Sequence, residues 1–202
     1  AEHFWPGPLT MVVKKKDIEQ NHLLLVFPGL HANHPDRYVL ATLNNILGSG
    51  MSSRLFQRVR EQSGLCYSIY SFTSLYQNTG VLGIYVALGR ETQDAALRLI
   101  REELEKFLSN GVTEEELSRT KEQLKTTLLM SLESTNSRMS SMARNEMIFG
   151  HAQSPEEAVE KLERVTIGDI HRLAKDLLDF EQMSFSAVGN VSQPEEYLAL
   201  FR

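Results

Sequence analysis

Residues 65–88 read LCYSIYSFTSLYQNTGVLGIYVAL, two apolar or β-branched runs, Leu65 to Ser74 and Val81 to Leu88, joined through the polar stretch Gln77-Asn78-Thr79-Gly80. Two such runs around a glycine-ended polar turn predict a β-hairpin. A similar pair stands upstream, where Leu9 to Lys15 and His22 to Gly29 flank the polar Lys16 to Asn21 and predict a second hairpin. Between the pairs, Val39, Leu40, Leu43, Ile46 and Leu47 recur at helical spacing after Pro35, and Gly48-Ser49-Gly50 ends that helix. A second helix is predicted from Ser52 or Ser53 to Gly64, burying Leu55, Phe56 and Val59.

Downstream the pattern turns helical. Thr92 to Leu108 carries Ala96, Leu97, Ile100, Leu104 and Phe107 on one face before Gly111. Thr113 with Glu116, Ser154 with Glu157 and Thr166 with Asp169 have the spacing of capping boxes, in which paired side chains satisfy amide donors left over at a helix start. A last strand, Met183 to Gly189, precedes a terminal helix led by Ser192. Met130, Met139, Met142 and Met147 read as a core stripe, with an interruption expected between Ser131 and Ser141. The order β-β-α-α-β-β-α-α-α-α-β-α, with two hairpins, predicts the α+β class, a mainly antiparallel sheet with helices packed on one face.

A chain of 202 residues supports one good core, so one domain is expected over 1–202, with 1–8 linker-like and 9–202 folded. Residues 1–9, AEHFWPGPL, lack the basic region and apolar core of a signal peptide. A formal charge of -5 in mixed runs argues against a nucleic-acid partner. Lys14-Lys15-Lys16 reads as a solvated strand end. No apolar run has the length of a membrane helix, and no membrane partner is expected. The single cysteine, Cys66, excludes an internal disulfide and is compatible with a reducing, cytoplasmic compartment.

No catalytic motif is complete. His31 and His34, beside Asp36, fall short of the three or four protein ligands a zinc site needs, so no metal is expected in this chain. His22 reads as an interior or edge histidine, and His151 and His171 as surface residues near helix ends. Gly48, Ser49, Gly50 and Ser52 lie in a loop before a helix, either a tight turn or a place where backbone donors hold a substrate carbonyl. Arg60 and Tyr67, on either side of the bend at Gly64, are residue types suited to holding a polarised peptide oxygen; by type alone Arg54, Arg58 and Tyr70 serve equally well.

The run Leu43 to Gln57, LNNILGSGMSSRLFQ, continuing Arg58 to Ser71, RVREQSGLCYSIYS, resembles the second half of M16 (pitrilysin/insulinase-like) zinc metallopeptidases. Pro35 to Tyr38, HLLLVFPG and the helical remainder share the likeness, and the inverted zinc motif His-x-x-Glu-His is absent from the sequence. The resemblance implies the non-zinc-binding, "inactive" half, which closes over a peptide and lends an arginine and a tyrosine to its partner's active site. Matching the family's spacing places that pair on Arg60 and Tyr67. Gly64-Leu65-Cys66 before the tyrosine departs from long insulinase-type sequences. The implied partners are a zinc-bearing half in cis or trans and a peptide substrate, in a homodimer or heterodimer. This chain alone is expected to cleave nothing, with zinc in the partner half. A non-catalytic core or scaffold subunit and a peptide-binding module using an open sheet edge are the alternatives.

Overall fold

Along the strand β2 (Asn21–Pro28), Asn21, Leu23, Leu25 and Phe27 are buried and the residues between them only half so, the period-two pattern of a sheet covered on one face. The computed structural model describes residues 11–131, 133, 139–143, 146–147 and 153–201. The other strands are β1 (Met11–Lys15), β3 (Ser68–Leu75), β4 (Gly80–Leu88) and β5 (Ser184–Gly189). They form one sheet in the order β1-β5-β2-β4-β3. Three of its neighbouring pairs are antiparallel and one, β1 with β5, is parallel. The α+β class and the mainly antiparallel sheet expected from the sequence are what the chain adopts.

The longer α-helices among the described residues are α1 (Arg37–Gly48), α2 (Gln93–Asn110), α3 (Glu114–Ser131), α4 (Pro155–Glu163), α5 (Ile167–Leu177) and α6 (Pro194–Phe201). Leu43 and Leu47 of α1, Leu97, Ile100, Leu104 and Phe107 of α2, and Ile170 of α5 are almost wholly buried. They share one core with Leu25, Ile84 and Phe185 of the sheet. Burying such side chains is worth roughly 2 kcal/mol each and fixes the helices to that face. All three capping boxes form: Thr113 with Glu116, Ser154 with Glu157 and Thr166 with Asp169 exchange side-chain and backbone hydrogen bonds reciprocally.

The hairpin β3–β4 forms as expected, from Ser68↔Ala87 to Leu75↔Gly80. The hairpin expected between β1 and β2 does not. β5 lies between them, parallel to β1 from Met11↔Phe185 to Lys15↔Gly189 and antiparallel to β2 from His22↔Val188 to Val26↔Ser184. The cause is non-local: β5 brings Phe185 and Ala187 into the core, and the backbone after β1 hydrogen-bonds across its end, Lys16 N–H donating to Gly189 O at 2.9 Å. β1 is thereby an edge strand with Lys14 and Lys15 exposed, and Lys16 is exposed just after it, a pattern that discourages further strand pairing.

Three other expectations are corrected. Met130, Met139, Met142 and Met147 are exposed, not a core stripe, because α3 buries only Leu117 and Thr120 in its first half and its later apolar side chains meet no core. Ser192 does not cap the last helix, which begins at Pro194; it is buried and accepts from the Gln93 side chain at 3.2 Å. His171 lies within α5, half-buried against Gly111 rather than at the surface. Residues 1–8, His151 and most of Ser131 to Ser141 lie outside the described residues.

Ser192 belongs to a buried polar knot that ties three distant segments. The Asn21 side-chain amide donates to Gln93 Oε1 at 3.0 Å and to Asn190 O at 2.9 Å. The Tyr197 hydroxyl donates to the same Gln93 oxygen at 2.9 Å and accepts from the Ser192 N–H at 3.1 Å. Tyr197→Phe leaves that amide without its acceptor in a site closed to water. A destabilisation of about 2 kcal/mol is expected, read as a lower urea midpoint at unchanged slope.

Candidate functional site

The segment that carries Arg60 begins where α1 ends against β3. A Cβ on Gly48 would stand 2.5 Å from Ser71 Oγ and 2.6 Å from Ser71 N, so only glycine allows this approach of helix to strand. Ser49 follows with its N–H on Asn44 O at 3.2 Å. Gly50 has φ +95, and the Ser53 hydroxyl turns back onto Gly50 O at 2.7 Å. Gly50 and Ser52 are exposed. These contacts account for Gly48-Ser49-Gly50 as a turn that sets the next helix, and Ser53 serves the turn rather than capping that helix.

That next helix is not the α-helix expected. Phe56–Glu61 is π-helical, closed by Gln62 N–H donating to Gln57 O at 2.9 Å. Leu55 and Val59 are buried as predicted, but Phe56 is only half-buried. Short π segments are frequent at functional sites. Here the wide turn puts Arg54 and Arg58 toward α2 and α3, while the Arg60 guanidinium lies over the Phe56 ring, 5.0 Å from its centroid. The backbone then reverses at Gly64, φ +61, with Leu65 N–H donating to Val59 O, and Tyr67 N–H joins the sheet on Ala87 O at 2.8 Å.

Residues equivalent by type are now distinguishable. Arg54 grips both oxygens of Glu116, at 2.7 and 2.8 Å, and Gly111 O at 2.9 Å. Arg58 faces Glu103 at 3.6 Å. Tyr70 packs in the row of rings on the open sheet face, 5.1 Å from Tyr85. Arg60, by contrast, is exposed and has no carboxylate partner among the described residues, and Tyr67 is 53% exposed with no hydrogen bond from its hydroxyl there. Burial pushes the Cys66 thiol up to about 11, against the opposing pull of the Arg60 charge, and the Gly64 N–H donates to Arg60 O at 2.9 Å across the bend. Both uncommitted groups therefore stand at one end of the sheet, either side of the same bend. Phe56, which steadies Arg60, carries only a core signature in the sequence.

His31 and His34 do not make a metal site. His31 and His34 rings meet edge to face at 5.3 Å, but His34 Nδ1 already accepts from Asp36 N–H at 3.0 Å, and the Asp36 carboxylate is held by Arg172 at 3.0 and 3.1 Å. Among the described residues no group of three or more His, Cys, Asp or Glu side chains is placed to hold a metal ion. His22 is half-buried, its Nδ1 2.6 Å from the Tyr85 hydroxyl. No helix among the described residues is long and apolar enough to cross a membrane.

The family described as "Peptidase M16 inactive domain" matches residues 3–124. The chain is 41% identical over 182 residues to an uncharacterized zinc protease of Bacillus subtilis, YmxG, covering 89% of this chain and 44% of that protein. It is 35% identical over 171 residues to an uncharacterized zinc protease of Streptomyces coelicolor, covering 85% of this chain and 37% of that one. The chain thus spans less than half the length of these relatives. Among solved structures, a peptidase M16 inactive domain from Pseudomonas fluorescens superposes with a TM-score of 0.80 at 23% identity, over 92% of this chain and 44% of that one.

Proposed function

Since the chain belongs to the peptidase M16 inactive-domain family, we propose that it is the non-zinc-binding half of a zinc-dependent peptidase, closing over a peptide held against a zinc-bearing partner half. The observation that carries this reading is the pair Arg60 and Tyr67: exposed, uncommitted, and set beside one bend while the neighbouring arginines are tied to carboxylates. On this reading metal and general base come from the partner half, in cis or trans, while His34 here accepts from the Asp36 N–H and the Asp36 carboxylate is held by Arg172. The Arg60 guanidinium and the Tyr67 hydroxyl donate to the oxygen of the scissile peptide group, where negative charge develops as that group is attacked. The loop Gly48, Ser49, Gly50 and Ser52 orients the π-helical turn, and its exposed residues Gly50 and Ser52 offer backbone donors to the peptide. Residues 9–202 act as one domain.

The test is assembly. Alone, the chain is expected to retain no stoichiometric zinc after dialysis against a weak chelator and to hydrolyse no peptide. Joined to the zinc-bearing half, it is expected to yield a peptidase whose activity disappears when residues 9–202 are deleted. Tightly held zinc in the isolated domain, or full activity of the zinc half without it, overturns the proposal.

A further inference from the structure

The face of the π-helical turn that looks away from Arg60 forms one wall of a groove of about 610 Å³, closed by the end of α2 and the start of α3. That volume lies within the range of ordinary ligand sites. Arg54, Arg58 and Gln62, at i, i+4 and i+8, line the wall, with Lys106 and Asn110 of α2 opposite. Arg54 is neutralised by Glu116. Arg58 and Lys106 share one carboxylate, Glu103, at 3.6 and 3.2 Å, so the lining keeps an excess of one positive charge. Arg58 Nε is shut off from solvent and falls short of a hydrogen bond, its Glu103 oxygen standing 3.6 Å away, so the pair is loosely held. The side-chain amides of Gln62 and Asn110 are exposed and form no hydrogen bond among the described residues.

From this arrangement we infer that the groove binds a peptide segment bearing a carboxylate. A guanidinium fork matches the planar, two-oxygen geometry of a carboxylate and supplies the missing negative charge with its partner. The flanking amides each carry a donor and an acceptor, which suits the alternating N–H and C=O groups of a peptide backbone. The carboxylate belongs either to an acidic side chain or to the peptide's own C-terminus. This site lies on the other side of the turn from Arg60 and goes beyond the peptidase reading, so either proposal can fail without the other.

The experiment titrates the isotopically labelled protein by NMR with a hexapeptide containing one central glutamate and a free C-terminus, and with inorganic phosphate. Saturable shifts of the Gln62 and Asn110 side-chain amide signals are expected with the peptide. Two altered peptides, one with Glu→Gln and one with a C-terminal amide, identify the source, and the one that removes the bound carboxylate weakens binding at least tenfold. Arg58→Gln and Lys106→Gln are each expected to weaken it severalfold with the spectrum otherwise intact, while Arg98→Gln, exposed on α2 outside the groove, leaves it unchanged. Absence of shifts at Gln62 and Asn110, equal affinity in Arg58→Gln, or phosphate binding as tightly as the peptide overturns the inference.

Discussion

On the proposed function, Arg60→Ala in this domain assembled with a zinc-bearing half is expected to lower kcat/KM about a hundredfold, and Tyr67→Phe by a comparable factor, with zinc content and fold unchanged. Loss of one donor aimed at developing charge costs about 3 kcal/mol of transition-state stabilisation. The fall should be seen mainly in kcat, because such a donor strengthens its bond only as the oxygen becomes charged. Arg98→Ala, exposed on α2, and Tyr70→Phe, in the ring row of the open sheet face, are the controls and should retain turnover. An ordinary surface arginine would show the opposite result: less than about 1 kcal/mol of stability lost and no kinetic effect. Controls as damaging as Arg60→Ala would mean that the pair is misplaced; four silent variants would leave this half as a scaffold.

Arg54→Met is expected to destabilise the protein by about 3 kcal/mol, the lower end of what breaking a buried ion pair costs, since the Arg54 and Glu116 side chains keep 19% and 18% of their exposure. The substitution strips Glu116 of a two-pronged partner and also leaves Gly111 O without a donor. Glu116→Leu added to Arg54→Met should recover only part of the loss, because it removes the stranded charge but also takes the capping acceptor from the Thr113 N–H. The pair also predicts a pH dependence. Burial pushes the Glu116 carboxyl up, but hydrogen bonds from Arg54 and Thr113 outweigh it and hold the carboxyl below its usual value. Its contribution is therefore complete above the unfolded value of about 4.3 and is lost as pH falls through the lower folded value. Denaturant midpoints measured from pH 7 down to 3 should converge between wild type and Arg54→Met at the acid end. Parallel curves would show that Glu116 titrates independently of Arg54.

What was legible in the sequence was local. The turn Gln77 to Gly80 sits next to the strands it joins, and each capping box is complete within four residues, so pattern and structure coincide there. Pairings between distant segments left no local mark: Leu9 to Lys15 and His22 to Gly29 look like a hairpin because nothing between them reveals that Ser184–Gly189 is inserted. The methionines after residue 129 have core composition, and composition does not say whether a facing surface exists. The π-helical turn is hidden for a related reason, since buried Leu55 just before it and buried Val59 within it are four apart, as an α-helix also requires. Arg60 and Tyr67 were separable from Arg54, Arg58 and Tyr70 only through a family likeness; in three dimensions their partners, or lack of them, make the distinction. The groove over Arg58 is built from three segments and has no signature in any one.

The insertion of β5 also sets the order in which this molecule can be made. β2 can pair with β4 as soon as residue 88 exists, but its other side and the whole of β1 wait for residues 184–189, close to the end of the described residues. Contacts so distant in sequence carry a large loop-closure cost before they return any stability, and they slow folding. On the ribosome the emerging polypeptide therefore holds a half-finished sheet, with the backbone edge of Leu23, Leu24 and Leu25 unpaired, through the synthesis of residues 89–183. An open strand of that kind is a template for pairing between molecules. The late strand is thus both the wedge of the finished sheet and the step that closes this open edge.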